Sequence, residues 1–253
     1  MSQAPDDAPD APRAHHVEVP RTARYYTVGP TLGTTDRASG TASDPPAACA
    51  VWVALHGYGQ LAEHFARHFA PHAAGRLVVA PEALSRFYLP APGGAPGGAN
   101  AAARVGATWM TREDRLNEIG DYVRYLDRAL DAAAEAAAVD PAAPLGVLGF
   151  SQGAATACRW AAHRYADGLA PATRVVLWAG TIPPDFDLAG PDGDALRAAR
   201  LTLVAGDADE FATAAAVAGQ AARLDEAGVA YEVVRYAGGH RLDGAALGRV
   251  LAG

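Results

Sequence analysis

The stretch "LGVLGFSQGAATACRW", Leu145 to Trp160, decides the fold. Aliphatic residues and glycines run into Ser151, which stands between Gly149 and Gly153, and an alanine-rich helical pattern follows. An apolar run unbroken by polar residues fits a strand buried on both faces, the kind that belongs to a parallel sheet. Similar runs recur along the chain: "ACAVWVAL" ending at Leu55, "RLVVA" at Ala80, "TRVVLWAG" at Gly180, "RLTLVAG" at Gly206 and "AYEVVRYA" at Ala237. Helical segments are predicted between them, over Gln60–Ala74, Arg112–Ala138, Gln152–Tyr165, Ala212–Ala227 and Arg241–Leu251. Strand and helix therefore alternate, which predicts an α/β fold with a mostly parallel central sheet and helices on both faces.

Composition narrows the function. The chain has 253 residues, half of them apolar, enough for one large α/β domain. A formal charge of -7 argues against a nucleic-acid partner, because phosphate binding needs a clustered excess of basic side chains. All 21 basic residues are arginine, and with the alanine runs this reads as genome composition bias. Cys49 and Cys158 are the only cysteines, each in an apolar context that suits a buried free thiol. No charge-free run of about 18 apolar residues marks a membrane span. The opening "MSQAPDDAPDAPRAHHVEVP" lacks the basic start and apolar core of a signal peptide, so a cytoplasmic location is expected. Residues 1–20, rich in Pro, Ala and Asp, are expected to be disordered, with 21–253 forming a single domain.

The predicted helix from Arg112 has a capping pair in Thr111 and Asp114 and an apolar stripe of Leu116, Ile119, Val123, Leu126 and Leu130. Before it lies a long connection, Leu84 to Met110, whose "GGAPGG" lacks the Gly-Lys-Ser/Thr ending of a phosphate loop. It is too short for a separate cap domain, and its length makes it a candidate functional loop.

In an open parallel sheet ligands bind at the carboxyl ends of the strands. Ser151 stands there inside "GFSQG", a G-x-S-x-G in which a sharp turn exposes the hydroxyl and the glycines let strand and helix approach. A serine hydroxyl is a weak nucleophile and needs a base held by an acid. After the last strand "AGGHRL" offers His240, and after "RLTLVAG" the run "DADEF" offers Asp207, Asp209 and Glu210. The order serine, acid, histidine is that of α/β hydrolases. A tetrahedral intermediate also needs two donors for its oxygen. The backbone N–H of Gln152 is one candidate, and that of Tyr58, in "HGYGQ" after the first apolar run, is the other. In "EHFARHFAPH", His64, His68 and His72 have a spacing that could suit a metal, but Pro71 interrupts the helix and no carboxylate completes a set, so they read as helix surface. His56 reads as a structural hydrogen bonder in the loop that carries Tyr58.

With "HGYG", "GFSQG", "GDADE" and "GGH" in this order, the chain from Arg24 onward resembles the phospholipase/carboxylesterase family of α/β hydrolases, which includes acyl-protein thioesterases and small bacterial serine esterases. "PEALSRFYL" and "RVGATWMTREDRLNEI" add to the likeness. The resemblance selects Asp209 as the acid, three residues after Gly206, and Tyr58 as the second oxyanion donor, and it places Trp109 in the loop that lines an acyl pocket. Where the family continues its acid motif with valine and proline, this chain has Glu210 and Phe211; Phe211 is a second candidate pocket residue. The implied activity is hydrolysis of a small carboxylic ester by Ser151, His240 and Asp209, with no cofactor and no metal. A thioesterase or acyltransferase using the same groups, or a catalytically silent binding protein on the same fold, are the alternatives.

Overall fold

The computed structural model describes residues 12–29, 49–90, 103–140 and 143–253. The apolar runs form the strands of a seven-stranded sheet: β1 (Tyr25–Val28), β2 (Ala50–Leu55), β3 (Arg76–Pro81), β6 (Leu145–Phe150), β7 (Arg174–Trp178), β8 (Arg200–Gly206) and β9 (Tyr231–Tyr236). Their spatial order is β1-β3-β2-β6-β7-β8-β9, every pairing parallel except that of the edge strand β1 with β3. A separate antiparallel pair, β4 (Ser85–Tyr88) with β5 (Val105–Thr108), lies within the long connection before the next helix. The "GGAPGG" of that connection, like residues 1–11, lies outside the described residues.

Alternation along each strand builds two cores. Val51, Val53 and Leu55 of β2, with Val147 of β6, face one side, where α2 (Arg115–Ala136), α3 (Gln152–Ala166), α4 (Pro191–Arg197) and α5 (Ala214–Glu226) supply Tyr122, Leu126, Trp160, Leu196 and Leu224. Trp52 and Ala54 of β2, with Leu148 and Phe150 of β6, face the other, covered by α1 (Ala62–Ala66), a 3₁₀ turn over Arg67–His72 and α6 (Gly244–Ala252). No helix among the described residues is long and apolar enough to cross a membrane.

Several elements differ from the sequence expectation. The segment Gln60–Ala74 holds only a short α-helix, because Pro71 lacks the N–H that a continued helix needs and the chain tightens into 3₁₀ geometry. Helix α2 begins at Arg115, with Asp114 in a left-handed conformation (φ 50°) and no side-chain cap; Thr111 instead reaches Glu118, its N–H donating to Oε2 at 2.5 Å. The buried stripe of α2 is turned from the expected one: Leu116 is 74% exposed, while Tyr122, Ala129 and Ala133 are buried beside Val123, Leu126 and Leu130.

The edge strand is secured by a charge. Glu82, directly after β3, is buried and accepts from Arg24 (Nε 2.7 Å, Nη2 3.1 Å) and Arg86 (Nε 2.6 Å), and its backbone N–H donates to the Arg24 carbonyl at 3.1 Å. Burial alone would raise the Glu82 carboxyl, but the two guanidiniums outweigh it and hold it below the usual range. That stabilisation is therefore present above the ordinary glutamate pKa and lost as pH falls through the lowered one. Glu82→Gln should cost about 1–3 kcal/mol at pH 7, less than for a fully buried pair because both arginines reach solvent. The gap from wild type, read by urea unfolding, should shrink as pH falls below the ordinary glutamate pKa of about 4.3, because the unfolded chain then takes the proton first. Equal stability at pH 7 would contradict this role.

Candidate active site

Ser151 occupies the junction where β6 ends and α3 begins. Its backbone has φ 54° and ψ -116°, a conformation that side chains rarely adopt and that costs on the order of 1–3 kcal/mol. The surroundings hold it there: its N–H donates to the Trp178 carbonyl at 2.8 Å and its own carbonyl accepts from Ala154 at 3.0 Å. The flanking glycines are required by contact. A Cβ at Gly149 would lie 2.1 Å from the Gly153 oxygen, and one at Gly153 would lie 2.3 Å from the Leu55 oxygen. The hydroxyl thus projects from the carboxyl edge of the sheet over a turn with no room for a larger neighbour.

His240 follows β9 and reaches this hydroxyl, with Nε2 3.0 Å from Oγ of Ser151. Its Nδ1 lies 3.0 Å from Oδ2 and 3.1 Å from Oδ1 of Asp209, in the loop after β8. The two loops are stitched together: Asp207 donates its N–H to the Tyr236 carbonyl at 3.0 Å, and Ala208 to that of Gly238 at 2.9 Å. Gly206 permits the approach, since a Cβ there would sit 2.2 Å from the Gly238 oxygen. Below, the Tyr236 hydroxyl donates to the carbonyls of Gly239 and Arg241 that flank His240.

The choice between the aspartates is geometric. Asp207 points to solvent, its nearest cation Arg235 at 3.9 Å, whereas the Asp209 side chain is wholly buried against His240. Burial works to raise the Asp209 carboxyl, but the backbone N–H groups of Ala212 and Phe211, both donating to Oδ1 at 2.8 Å, and His240 outweigh it and hold it below its ordinary value. It is a carboxylate throughout the neutral range.

The loop after β2 passes close to the serine: a Cβ at Gly57 would meet that of Ser151 at 3.2 Å. Most of its N–H groups are taken. Gly57 donates to Oε1 of Gln60 at 2.8 Å, Gly59 to the Ala107 carbonyl at 2.8 Å and Gln60 to the Gly57 carbonyl at 3.2 Å. Tyr58 N–H, and Gln152 N–H at the start of α3, have no acceptor among the described residues. The Tyr58 ring itself turns outward, 62% exposed, and stacks on Phe87 with centroids 4.9 Å apart.

His56 supports this loop. Its Nε2 accepts from the Ala83 backbone N–H at 3.1 Å, so the ring proton sits on Nδ1, which donates to the Gly57 carbonyl at 2.8 Å. Burial, the largest influence, pushes its pKa down, against the raising effects of the Gly57 carbonyl and Glu82. Trp109, expected to line an acyl pocket, is buried behind this loop, its indole N–H donating to the His56 carbonyl at 2.8 Å and its ring 5.1 Å from the imidazole. It lines neither of two cavities of about 430 and 260 Å³. Phe211 lies beside the site, its ring centroid 4.8 Å from that of His240. His64 and His68 line the 430 Å³ cavity beside Gly59. Among the described residues no three His, Cys, Asp or Glu are grouped to hold a metal ion.

Three supporting side chains had no local signal. The Gln152 amide ties the elbow to the neighbouring loop, accepting from Trp109 N–H at 3.1 Å and donating to the Met110 carbonyl at 3.0 Å. Gln60 occupies the Gly57 N–H, and Phe150 lays its ring against His240. Only the tertiary fold reveals these, since their partners are distant in sequence or carry no motif.

A family model described as serine hydrolase (FSH1) matches residues 52–242, a span that holds Ser151, Asp209 and His240. No curated protein matches the chain significantly by sequence. Among solved structures the fold is similar to acyl-protein thioesterase 2 from Zea mays (20% identity, TM-score 0.62, covering 91% of this chain and 97% of that one). It is also similar to esterase PE8 (20%, 0.57, 92% and 97%) and to SOBER1 from Arabidopsis thaliana (18%, 0.57, 81% and 97%). At these identities the likeness is one of fold.

The bonding of His56 has a measurable consequence. A ring held neutral contributes stability that is full above the ordinary histidine pKa of about 6.5 and falls as pH drops toward its lowered value, since the unfolded chain then binds the extra proton. By NMR its ring resonances should stay constant across the range where exposed histidines titrate. A midpoint near 6.5 would contradict the assignment.

Proposed function

The chain belongs to the FSH1 serine hydrolase family, and from that premise we propose that it cleaves small carboxylic esters through an acyl-enzyme on Ser151. The observation that carries this reading is the unbroken line of contacts from Oγ of Ser151 to His240 at 3.0 Å and on to the buried Asp209 at 3.0 Å. His240 Nε2 takes the hydroxyl proton as Oγ attacks the acyl carbon. The bond to the leaving alcohol breaks as His240 returns that proton to the departing oxygen. A water molecule, deprotonated by the same Nε2, then displaces the acid from Ser151 and restores the hydroxyl. Asp209 keeps the proton-bearing Nδ1 turned away from the serine and offsets the charge on the imidazolium. The backbone N–H groups of Tyr58 and Gln152 supply the oxyanion donors, which their lack of an acceptor among the described residues supports.

A thioester is the second reading, supported by the similarity of the fold to an acyl-protein thioesterase. The same groups would serve, with a thiolate as leaving group. Parallel kcat/KM values for an oxygen ester and a thioester of one acyl group decide between them. The two buried free thiols, Cys49 and Cys158, support a cytoplasmic enzyme.

Ser151→Ala should lower kcat for p-nitrophenyl acetate by about 10⁴-fold or more, and Asp209→Asn by on the order of 10³–10⁴, while Asp207→Asn leaves it unchanged. Stopped-time assays on purified variants test this. Turnover by Ser151→Ala at the native rate would refute the mechanism, and loss on changing Asp207 alone would refute the choice of acid.

A further inference from the structure

Two phenyl rings of opposite exposure pack against the imidazole of His240. Phe150, one residue before Ser151, is buried with Phe65 and Trp178, and its centroid lies 4.9 Å from that of His240 at an interplanar angle of 42°. Phe211 lies 4.8 Å away at 56°, yet is 73% exposed. A phenyl ring left in water gives up most of the stabilisation that burial would bring. Packing does not hold it there, but its backbone does: Phe211 N–H donates to Oδ1 of Asp209 at 2.8 Å, the carboxylate that also faces Nδ1 of His240. The turn that fixes the acid therefore also sets a ring against the base.

Asp209 holds the imidazole at Nδ1, and at Nε2 the ring meets only the Ser151 hydroxyl, which leaves it when Oγ attacks. Rotation about the terminal side-chain torsion of histidine has broad, shallow wells, so a ring held at one nitrogen can still tilt. Tilting moves Nε2 off the serine oxygen. Phe150 blocks that motion from the sheet side. We propose that Phe211 is a positioning residue that blocks it from the solvent side, keeping Nε2 on Oγ of Ser151. The inference rests on the Ser151–His240–Asp209 mechanism above. It also gives a physical role to Phe211, where the resembled family has proline after the acid.

The test compares wild type, Phe211→Ala and Phe211→Tyr on p-nitrophenyl acetate, p-nitrophenyl octanoate and a fluorophosphonate probe that reacts at the nucleophile without a deacylation step. In Phe211→Ala, kcat and the labelling rate should fall together by about three- to tenfold, the worth of one aromatic contact. The factor should be the same for both esters, with KM unchanged. Phe211→Tyr, which keeps the ring, should restore both rates, and the melting temperature of both variants should equal that of wild type because the ring is exposed. Labelling of Phe211→Ala at the native rate would overturn the proposal. So would a loss confined to KM or to the octanoyl ester, which would make the ring a pocket wall. Failure of the underlying mechanism looks different: wild type would then resist the probe and Ser151→Ala would still turn over ester.

Discussion

A Cβ on Gly153 would come within 2.3 Å of the Leu55 carbonyl oxygen and 2.7 Å of that of His56, so α3 packs against the end of β2 at a distance that only glycine allows. This close approach is the constraint from which the rest of the site follows. It forces the chain to turn from β6 into α3 within one residue, and Ser151 absorbs the turn with a positive φ. It sets the first N–H of α3 beside the loop after β2. Gly180 extends the same logic across the sheet, because a Cβ there would sit 2.4 Å from the Ser151 oxygen. The strain at one serine is offset by two buried cores that fix the strands on either side.

Around that turn, fixed backbone dipoles do much of the positioning. Asp209 is held by two N–H groups of its own loop as well as by His240, and His56 is held neutral by an N–H on one nitrogen and a carbonyl on the other. Dipoles bound into the backbone need no reorganisation when charge develops at the reacting atoms. The supporting side chains, Gln60, Gln152 and Trp109, are used to occupy groups that would otherwise compete or drift. The outcome is a loop after β2 in which Tyr58 N–H is left without an acceptor among the described residues.

Much of this was legible in the sequence, for identifiable reasons. Six apolar runs became six strands, five of them because parallel strands buried on both faces need such runs, while the sixth, β9, lies at the edge and is only partly buried. The edge strand "YYTV" escaped notice because it is half exposed and short, and β4 and β5 are four residues each. Helix α4 was hidden by its Pro, Gly and Asp content, which reads as loop. Leu116 fitted the apolar stripe of α2 by spacing, yet it lies in the first turn of that helix, before the buried residues begin at Tyr122, and stays in water. Ser151, His240 and the acids Asp207, Asp209 and Glu210 stood out because each lies in a loop at the carboxyl end of a strand. The resemblance pointed to Asp209 among those acids, and the geometry brings Ser151, His240 and Asp209 into contact. The contacts of Trp109 with His56 and of Phe150 with His240 join residues 53 and some 90 positions apart, and no local pattern encodes them.

The central claim is that the strained serine is the atom that takes the acyl group. Protein quenched by acid during the first turnovers of p-nitrophenyl acetate, then digested and read by mass spectrometry, tests it most directly. The account predicts one acetyl group, on the hydroxyl of Ser151, that forms within the burst and disappears once substrate is exhausted. An acetyl group on another residue during turnover, or release of nitrophenol with Ser151 never modified, would contradict it.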